Sequence, residues 1–383
     1  VSEPVVIVGS GLAGYATARE LRRHDRAAPL TLITADDGCS YSKPMLSNAL
    51  ARGLEPADLP VADRERMAGE LDAEIRAGVR VEALDPEART VTLAGGETLR
   101  YRDLVLAIGA DPAPPPLAGE AAGEVLAVND LAGYRRLRAA LPGARRVLVL
   151  GAGLVGCELA NDLLGAGHAV TVVEPQARAL ARLAPAPAAR RLEAALAERG
   201  LVWRLGERCE TLERSGKVLR AGLAGGETVE ADLVLGAVGL RPRTALAEAA
   251  GLAVGRAIRV DRELRTSARG IWALGDCMEL EGLWLPYVMP IMECARALGR
   301  SLAGEPAAVR YPVMPVLVKT PAHPLVIALP PPGREGQWRI EELAEGVRGR
   351  CLGAGGELLG FVLTGALVGE RMALVRECAP TLP

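Results

Sequence analysis

The stretch VVIVGSGLAG at residues 5–14 decides the fold, because it has an echo, RRVLVLGAGLVG, at residues 145–156. In each copy an apolar, β-branched run passes directly into the spacing Gly-x-Gly-x-x-Gly, which opens a helical pattern. A second apolar strand follows, LTLIT at 30–34 and AVTVV at 169–173. It leads into acid, Asp36 and Asp37 in the first copy and Glu174 in the second. A later strand of matching wording completes each copy, DLVLAIG at 103–109 and DLVLGAVG at 232–239. The repeat predicts an α/β fold with two Rossmann-like dinucleotide-binding domains.

The glycines have separate tasks. The first makes a tight turn, the second lets the backbone approach a pyrophosphate, and the third lets the helix pack closely on its strand, with the phosphates at the helix N-terminus. In the first copy these are Gly9, Gly11 and Gly14, with Ser10, Leu12 and Ala13 between them; in the second they are Gly151, Gly153 and Gly156. Asp36 is the expected ribose ligand of the first site, and Asp37 reads as a solvated loop residue. Glu174 can accept hydrogen bonds from both adenosine ribose hydroxyls and would repel a 2'-phosphate, which favours NADH over NADPH. Arg178, four residues on, is the group that would oppose that preference. Gly109 and Gly239, closing the later strands, are expected to face the two nucleotides.

Two such sites imply two nucleotides held face to face, because hydride transfer requires reacting atoms about 3 to 3.5 Å apart. One is expected to be a flavin and the other a nicotinamide. The late pair Gly275 and Asp276, between a strand pattern and a helix pattern, suits a flavin's ribityl or phosphate groups. Proline-dense DPAPPPLAG at 111–119 excludes helix and marks a stiff crossing between domains. After residue 306 the chain reads as short strands, VMPVLVKT, PLVIAL, QWRIEE and LLGFVLTG, and a final helix, a small α+β domain. The expected domains are 1–111 with 240–306, 112–239, and 307–383.

Composition narrows the function. A net charge of −2 with interspersed signs lacks the positive field that nucleic acid requires. The seven cysteines form no close pair and the three histidines are scattered, so zinc and structural disulfides are not expected. No apolar run reaches the roughly 18 to 20 residues of a membrane span. The start of the sequence enters a strand without a signal pattern, and a cytoplasmic protein is expected.

The N-terminal fingerprint, the inserted second fingerprint and the late Gly-Asp resemble the two-dinucleotide-binding flavoproteins, in which the first module takes FAD and the insertion NAD(P)H. A narrower resemblance, covering nearly the whole chain, is to the bacterial rubredoxin reductases. It rests on ITADDGCSYSKPMLS at 33–47, GCELANDL at 156–163, AVGLRPRT at 237–244, ALGDC at 273–277, YVMPIM at 287–292 and VKTPAHPLV at 318–326. That resemblance implies an enzyme that binds FAD, oxidises NAD(P)H, here NADH by the reading of Glu174, and passes single electrons to rubredoxin, commonly for alkane hydroxylation. It implies that Lys43 pairs with Glu158 beside the flavin and that Lys319 reaches the ring from the C-terminal domain. Val81 is carried over as an adenine contact and Val288 as a ring contact. Two of the chain's three lysines fall in these motifs, in an otherwise arginine-rich sequence. The short C-terminal domain makes a monomer the expected state.

Alternatives share most of these motifs. A ferredoxin reductase would differ mainly in surface charge. A thiol-dependent NADH oxidase or peroxidase would need Cys39, whose spacing from Tyr41 and Lys43 does not match such a site and which has no CxxxxC partner. Cys157 and Cys277 read as small packing residues. Arg135, Arg136, Arg138, Arg145 and Arg146 read as a solvated face.

Overall fold

The computed structural model describes residues 3–383. The chain divides into two compact units: Val1–Ser42, Pro60–Asp111 and Arg241–Tyr311 form the first, and Lys43–Leu59, Pro112–Leu240 and Pro312–Pro383 the second. Among the described residues no helix is long and apolar enough to cross a membrane.

The first unit is built on a five-stranded parallel sheet in the order Ile271–Ala273, Asp103–Leu106, Val5–Val8, Leu30–Ile33, Glu74–Arg76. Val5–Val8 is wholly buried, which explains its unbroken apolar run. The chain leaves this strand for Leu30–Ile33 on one side and returns at Asp103–Leu106 on the other. Its carboxyl end is therefore the topological switch point, where a doubly wound sheet binds ligands. The helix Leu12–His24 starts there and packs on the helix Val288–Leu302. Gly299 permits that close crossing, since a Cβ there would collide with Glu20.

The second unit repeats the plan with four parallel strands in the order Val202–Leu205, Ala169–Glu174, Arg146–Leu150, Leu233–Gly236. The repeat is longer than the fingerprints alone suggest. Each unit carries a three-stranded antiparallel sheet just before the strand Asp103–Leu106 or Leu233–Gly236, Val81–Asp85, Thr90–Leu93 and Thr98–Arg100 in one and Cys209–Ser215, Val218–Leu223 and Thr228–Ala231 in the other. Both turn through an identical LAGGET, at 93–98 and 223–228, closed by the same bond: Leu93 N to Glu97 O and Leu223 N to Glu227 O, each 2.8 Å.

Residues 307–383 supply a five-stranded antiparallel sheet in the order Val316–Val318, Leu325–Ala328, Leu358–Thr364, Val347–Leu352, Gln337–Glu342, closed by the helix Arg371–Glu377. Val326, Phe361, Leu363 and Leu374 form its core. Val347–Leu352 was not anticipated from the sequence. Its buried face is Val347, Gly349 and Cys351, so arginines and glycine mask the alternation.

Two groupings in this division could not be read from the sequence. Residues 43–59 group with the second unit rather than the first, and the C-terminal sheet groups there too. The physical reason is the helix Leu154–Gly165, whose polar side chains bind both segments.

Candidate functional site

In the first unit Gly9 has φ +111°, and a Cβ on it would collide with the Ala107 carbonyl. A Cβ on Gly14 would collide with the Gly9 carbonyl. Gly11 differs, because a Cβ there meets no protein atom within 4 Å. The closeness it allows is thus to something other than protein, as a pyrophosphate site requires. The second unit repeats the pattern. Gly151 has φ +105° against the Ala237 carbonyl, Gly156 lies against Gly151, and Gly153 faces open space.

The two acids expected to meet a ribose are held differently. Ser10, itself buried, donates its hydroxyl to Asp36 Oδ1 at 2.8 Å, while Thr34 donates to the same oxygen at 2.6 Å and Gly38 N at 3.0 Å. With Oδ1 so engaged, Oδ2 is the oxygen suited to a ribose. Thr34 escaped the sequence reading, although a hydroxyl ending an apolar strand two residues before the acid was its signal. The loop beside this acid comes from Gly78 and Val79, whose amides donate to Asp36 O and Thr34 O. Val81 lies two residues on, 8 % exposed and paired with Leu93. In the second unit Glu174 accepts from Ala152 N of the fingerprint at 2.7 Å and from Gln176 N at 2.9 Å. Arg178 donates to the Ala181 carbonyl at 3.2 Å.

Gly275, with φ +84°, lies against the first fingerprint helix: a Cβ on it would be 2.9 Å from that of Ala13. Trp284 Nε1 donates to the Asp276 carbonyl at 2.9 Å and Arg256 stacks on the Trp284 ring at 4.0 Å, bracing the Gly-Asp turn. Gly109 (φ +72°) and Gly239 (φ +116°) end their strands in left-handed turns. Val288, 41 % exposed, begins the helix Val288–Leu302; Val155 and Val238 are similarly exposed in the second unit. Val155 lies within the second fingerprint and Val238 against Gly151, and apolar side chains exposed there suit the flat face of a nucleotide ring. The glycine cradles and acids of the two units fit two dinucleotides such as FAD and NADH.

The helix Leu154–Gly165 is apolar apart from Glu158, Asn161 and Asp162, which are all buried. Their i, i+3, i+4 spacing puts them on one face. Glu158 Oε2 receives Ser47 Oγ at 2.5 Å and the Lys319 ammonium at 2.9 Å, while Oε1 receives Lys319 N at 2.9 Å. Lys319 also donates to the Pro44 carbonyl and, at 3.2 Å, to Ser47 Oγ. Asn161 Oδ1 accepts from Ala322 N at 3.2 Å. Asp162 accepts from Leu50 N and Ala51 N, both at 2.9 Å; burial nevertheless raises its carboxyl above the ordinary value. Lys319 thus forms an ion pair with Glu158, and Lys43, which the resemblance implies as a partner of the same carboxylate, starts the adjoining turn Lys43–Ser47. Ser47, Asn161 and Asp162 were missed as functional candidates; for Asn161 and Asp162 the available signal was polar residues, with Glu158, interrupting an apolar helix.

No disulfide joins any of the seven cysteines. Burial pushes the Cys157 thiol up strongly and Cys277 to about 11, so neither is a ready thiolate. Among the described residues no cluster of histidine, cysteine and acid is suited to a metal ion.

Residues 3–298 match the pyridine nucleotide-disulphide oxidoreductase family. The chain belongs to that family. Residues 308–378 match a second family, described as a rubredoxin binding C-terminal domain. Among curated relatives, the chain is 45 % identical over 382 residues to a rubredoxin-NAD(+) reductase of Alcanivorax borkumensis, covering 99 % of this chain and 100 % of that one. It is 42 % identical over 386 residues to the protein of that name from Acinetobacter baylyi, covering 99 % and 98 %. A nitric oxide reductase FlRd-NAD(+) reductase of Vibrio vulnificus is 39 % identical over 379 residues, covering 98 % of each. Among solved structures, the ferredoxin reductase for the CYP199A2 system from Rhodopseudomonas palustris has a TM-score of 0.89 at 28 % identity, covering 99 % of this chain and 96 % of that one. The expected α/β architecture is therefore the family's own, and FAD and NADH are the cofactors typical of its reductases.

Proposed function

We propose that this chain is an FAD-dependent, NADH-oxidising reductase that delivers electrons singly to rubredoxin. The observation that carries this reading is the full-length likeness to rubredoxin-NAD(+) reductases, extending through the C-terminal segment that matches a rubredoxin-binding domain. When bound, FAD supplies the conversion of a two-electron donor into one-electron steps.

The chain's residues supply binding and electrostatics. Gly9, Ser10, Gly11, Leu12, Ala13 and Gly14 would hold the FAD pyrophosphate, Asp36 its ribose, and Gly109, Gly275 and Asp276 its central portion. Val81 and Val288 would contribute apolar contacts to its rings. Gly151, Gly153, Gly156 and Gly239 would hold NADH, with Glu174 on the adenosine ribose. Glu158 and Ser47 fix the Lys319 ammonium, and Lys319 and Lys43 are the cations proposed for the flavin ring. A fixed ammonium near a ring that gains electron density stabilises the negative charge without reorganising. No general base or covalent nucleophile is needed.

The physiological setting is proposed as cytoplasmic, the chain as a monomer, and the final consumer as an alkane hydroxylase. The Vibrio vulnificus relative, by its name, favours a second consumer, a nitric oxide reductase. The test is anaerobic mixing of the FAD-loaded protein with NADH and oxidised rubredoxin or ferredoxin, following flavin and iron absorbance together. Many turnovers of rubredoxin and few of ferredoxin are expected. The reverse preference would make the chain a ferredoxin reductase. Reduction of neither, with turnover of oxygen or peroxide abolished by Cys39→Ser, would make it a thiol-dependent oxidase or peroxidase.

A further inference from the structure

The loop that follows Glu174 turns two residues, Ala179 and Leu180, into the core, where loops usually stay at the surface. Leu180 has φ +50°, a left-handed conformation that a Cβ makes costly, and such strain persists only where the surroundings over-determine it. In the first unit the left-handed residue after the acid is a glycine, Gly38, which adopts that conformation freely. Hydrogen bonds on both sides hold the turn at Leu180. Ala179 N donates at 2.7 Å to Glu193 Oε1, from the helix Ala186–Glu198, and the backbone carbonyl of Glu193 accepts Trp203 Nε1 at 3.0 Å. The Leu180 carbonyl accepts from Leu183 N at 2.8 Å and Ala184 N at 2.9 Å. Leu180 N donates at 2.8 Å to the carbonyl of Ala152, the residue between the first two glycines of the second fingerprint.

Ala152 is thereby gripped at both ends, since its own N–H donates to Glu174 Oε2 at 2.7 Å. A trans peptide is planar, with its C=O and N–H pointing in opposite directions. With the Ala152 carbonyl turned onto Leu180, the N–H of Gly153 in the same peptide is fixed on the opposite side. Gly153 is exposed, and a Cβ on it would meet no protein atom within 4 Å. We propose that Leu180 and Glu193 are positioning residues for NADH: the strained turn they maintain locks the Ala152–Gly153 peptide with its N–H on the open side of the glycine loop, where the pyrophosphate binds. The inference rests on the reading of the second unit as the NADH site and adds the residues that hold its donor in place. A donor fixed before the anion arrives needs no ordering when it binds.

The test compares FAD-loaded wild type, Glu193→Leu, Glu193→Gln and Leu180→Gly, with ferricyanide as the acceptor so that no protein partner is involved. Glu193→Leu is expected to raise the KM for NADH about tenfold, the order of effect of one charge-assisted hydrogen bond, and to leave kcat within about twofold of wild type. Binding of NAD+, measured by isothermal titration calorimetry, should weaken by the same factor. Glu193→Gln keeps an oxygen that can accept from Ala179 N and should bring both values back to within about threefold of wild type. Leu180→Gly frees the turn and should shift both values in the same direction as Glu193→Leu. If Glu193→Leu melts at a lower temperature yet leaves KM and NAD+ affinity within about twofold of wild type, Glu193 is a structural brace only and the proposal falls, while the NADH reading survives. Should Glu193→Leu not fold, Leu180→Gly decides, and unchanged NADH kinetics and NAD+ affinity in that variant overturn the proposal. A wild type that neither binds NAD+ nor oxidises NADH would remove the parent reading and this inference with it.

Discussion

Replacing Lys319 by methionine removes an ammonium from a carboxylate whose side chain is only 3 % exposed, while keeping an apolar stem of similar length. A buried pair broken from one side typically costs about 3 to 5 kcal/mol, because the remaining charge is stranded. Glu158 is not wholly stranded here. It retains the Ser47 hydroxyl at 2.5 Å and the backbone amide of residue 319 at 2.9 Å. The lost ammonium was itself 29 % exposed, so part of its attraction was already screened by water. The expected cost is therefore about 2 to 3 kcal/mol. Combining it with Glu158→Gln removes the stranded charge, so the double variant should be more stable than Lys319→Met alone. Urea unfolding of the four proteins, followed by tryptophan fluorescence, measures this; Trp203 and Trp338 both report on the second unit. A Lys319→Met protein within about 0.5 kcal/mol of wild type, or a double variant whose loss equals the sum of the singles, would refute the reasoning.

The fingerprint glycines predict a contrast. Gly156→Ala drives a Cβ into the Gly151 carbonyl and should yield no folded second unit, whereas Gly153→Ala, at φ −74° with open space around its Cβ, should keep its melting temperature. Gly153→Ala should nonetheless raise the KM for NADH about tenfold or more, and unchanged NADH kinetics would remove it from the pyrophosphate site. Glu174→Ser should raise kcat/KM for NADPH relative to NADH at least about tenfold by removing like-charge repulsion. A fixed ratio would show that this carboxylate does not discriminate. Asp232 is held at about 2, down from 3.8, chiefly by the Arg146 guanidinium and by backbone amides. Its contribution to stability is present above the unfolded value and is lost as pH falls from 3.8 towards 2. Asp232→Asn should weaken the protein at neutral pH and remove that part of the acid dependence in denaturant titrations at stepped pH; parallel curves for the two proteins would contradict it.

Much of the nucleotide-binding architecture was legible because it is local. A turn of φ near +110° that no side chain tolerates, a helix pressed on a strand, and an acid about 20 residues on all write themselves into consecutive residues. The tight turns at Gly9 and Gly151 and the close packing at Gly14 and Gly156 could therefore be found by spacing. The antiparallel sheets were also written locally, twice over in LAGGET, and that signal was passed over. Val347–Leu352 was hidden because its buried positions include glycine, which carries no hydrophobic mark.

What the sequence by itself determined is thus the two nucleotide-binding units and their order, whose constraints act over a few turns of chain. Only the tertiary structure decided that Ser47, Glu158 and Lys319 share one buried network, across 111 and 161 residues. The same holds for residues 43–59, which join the second unit. Periodicity marks Glu158, Asn161 and Asp162 as anomalies on an apolar helix but cannot name their partners. Those partners follow from the requirement that buried charges and amides be satisfied, a condition met in space by whichever segments the sheets bring to that helix face.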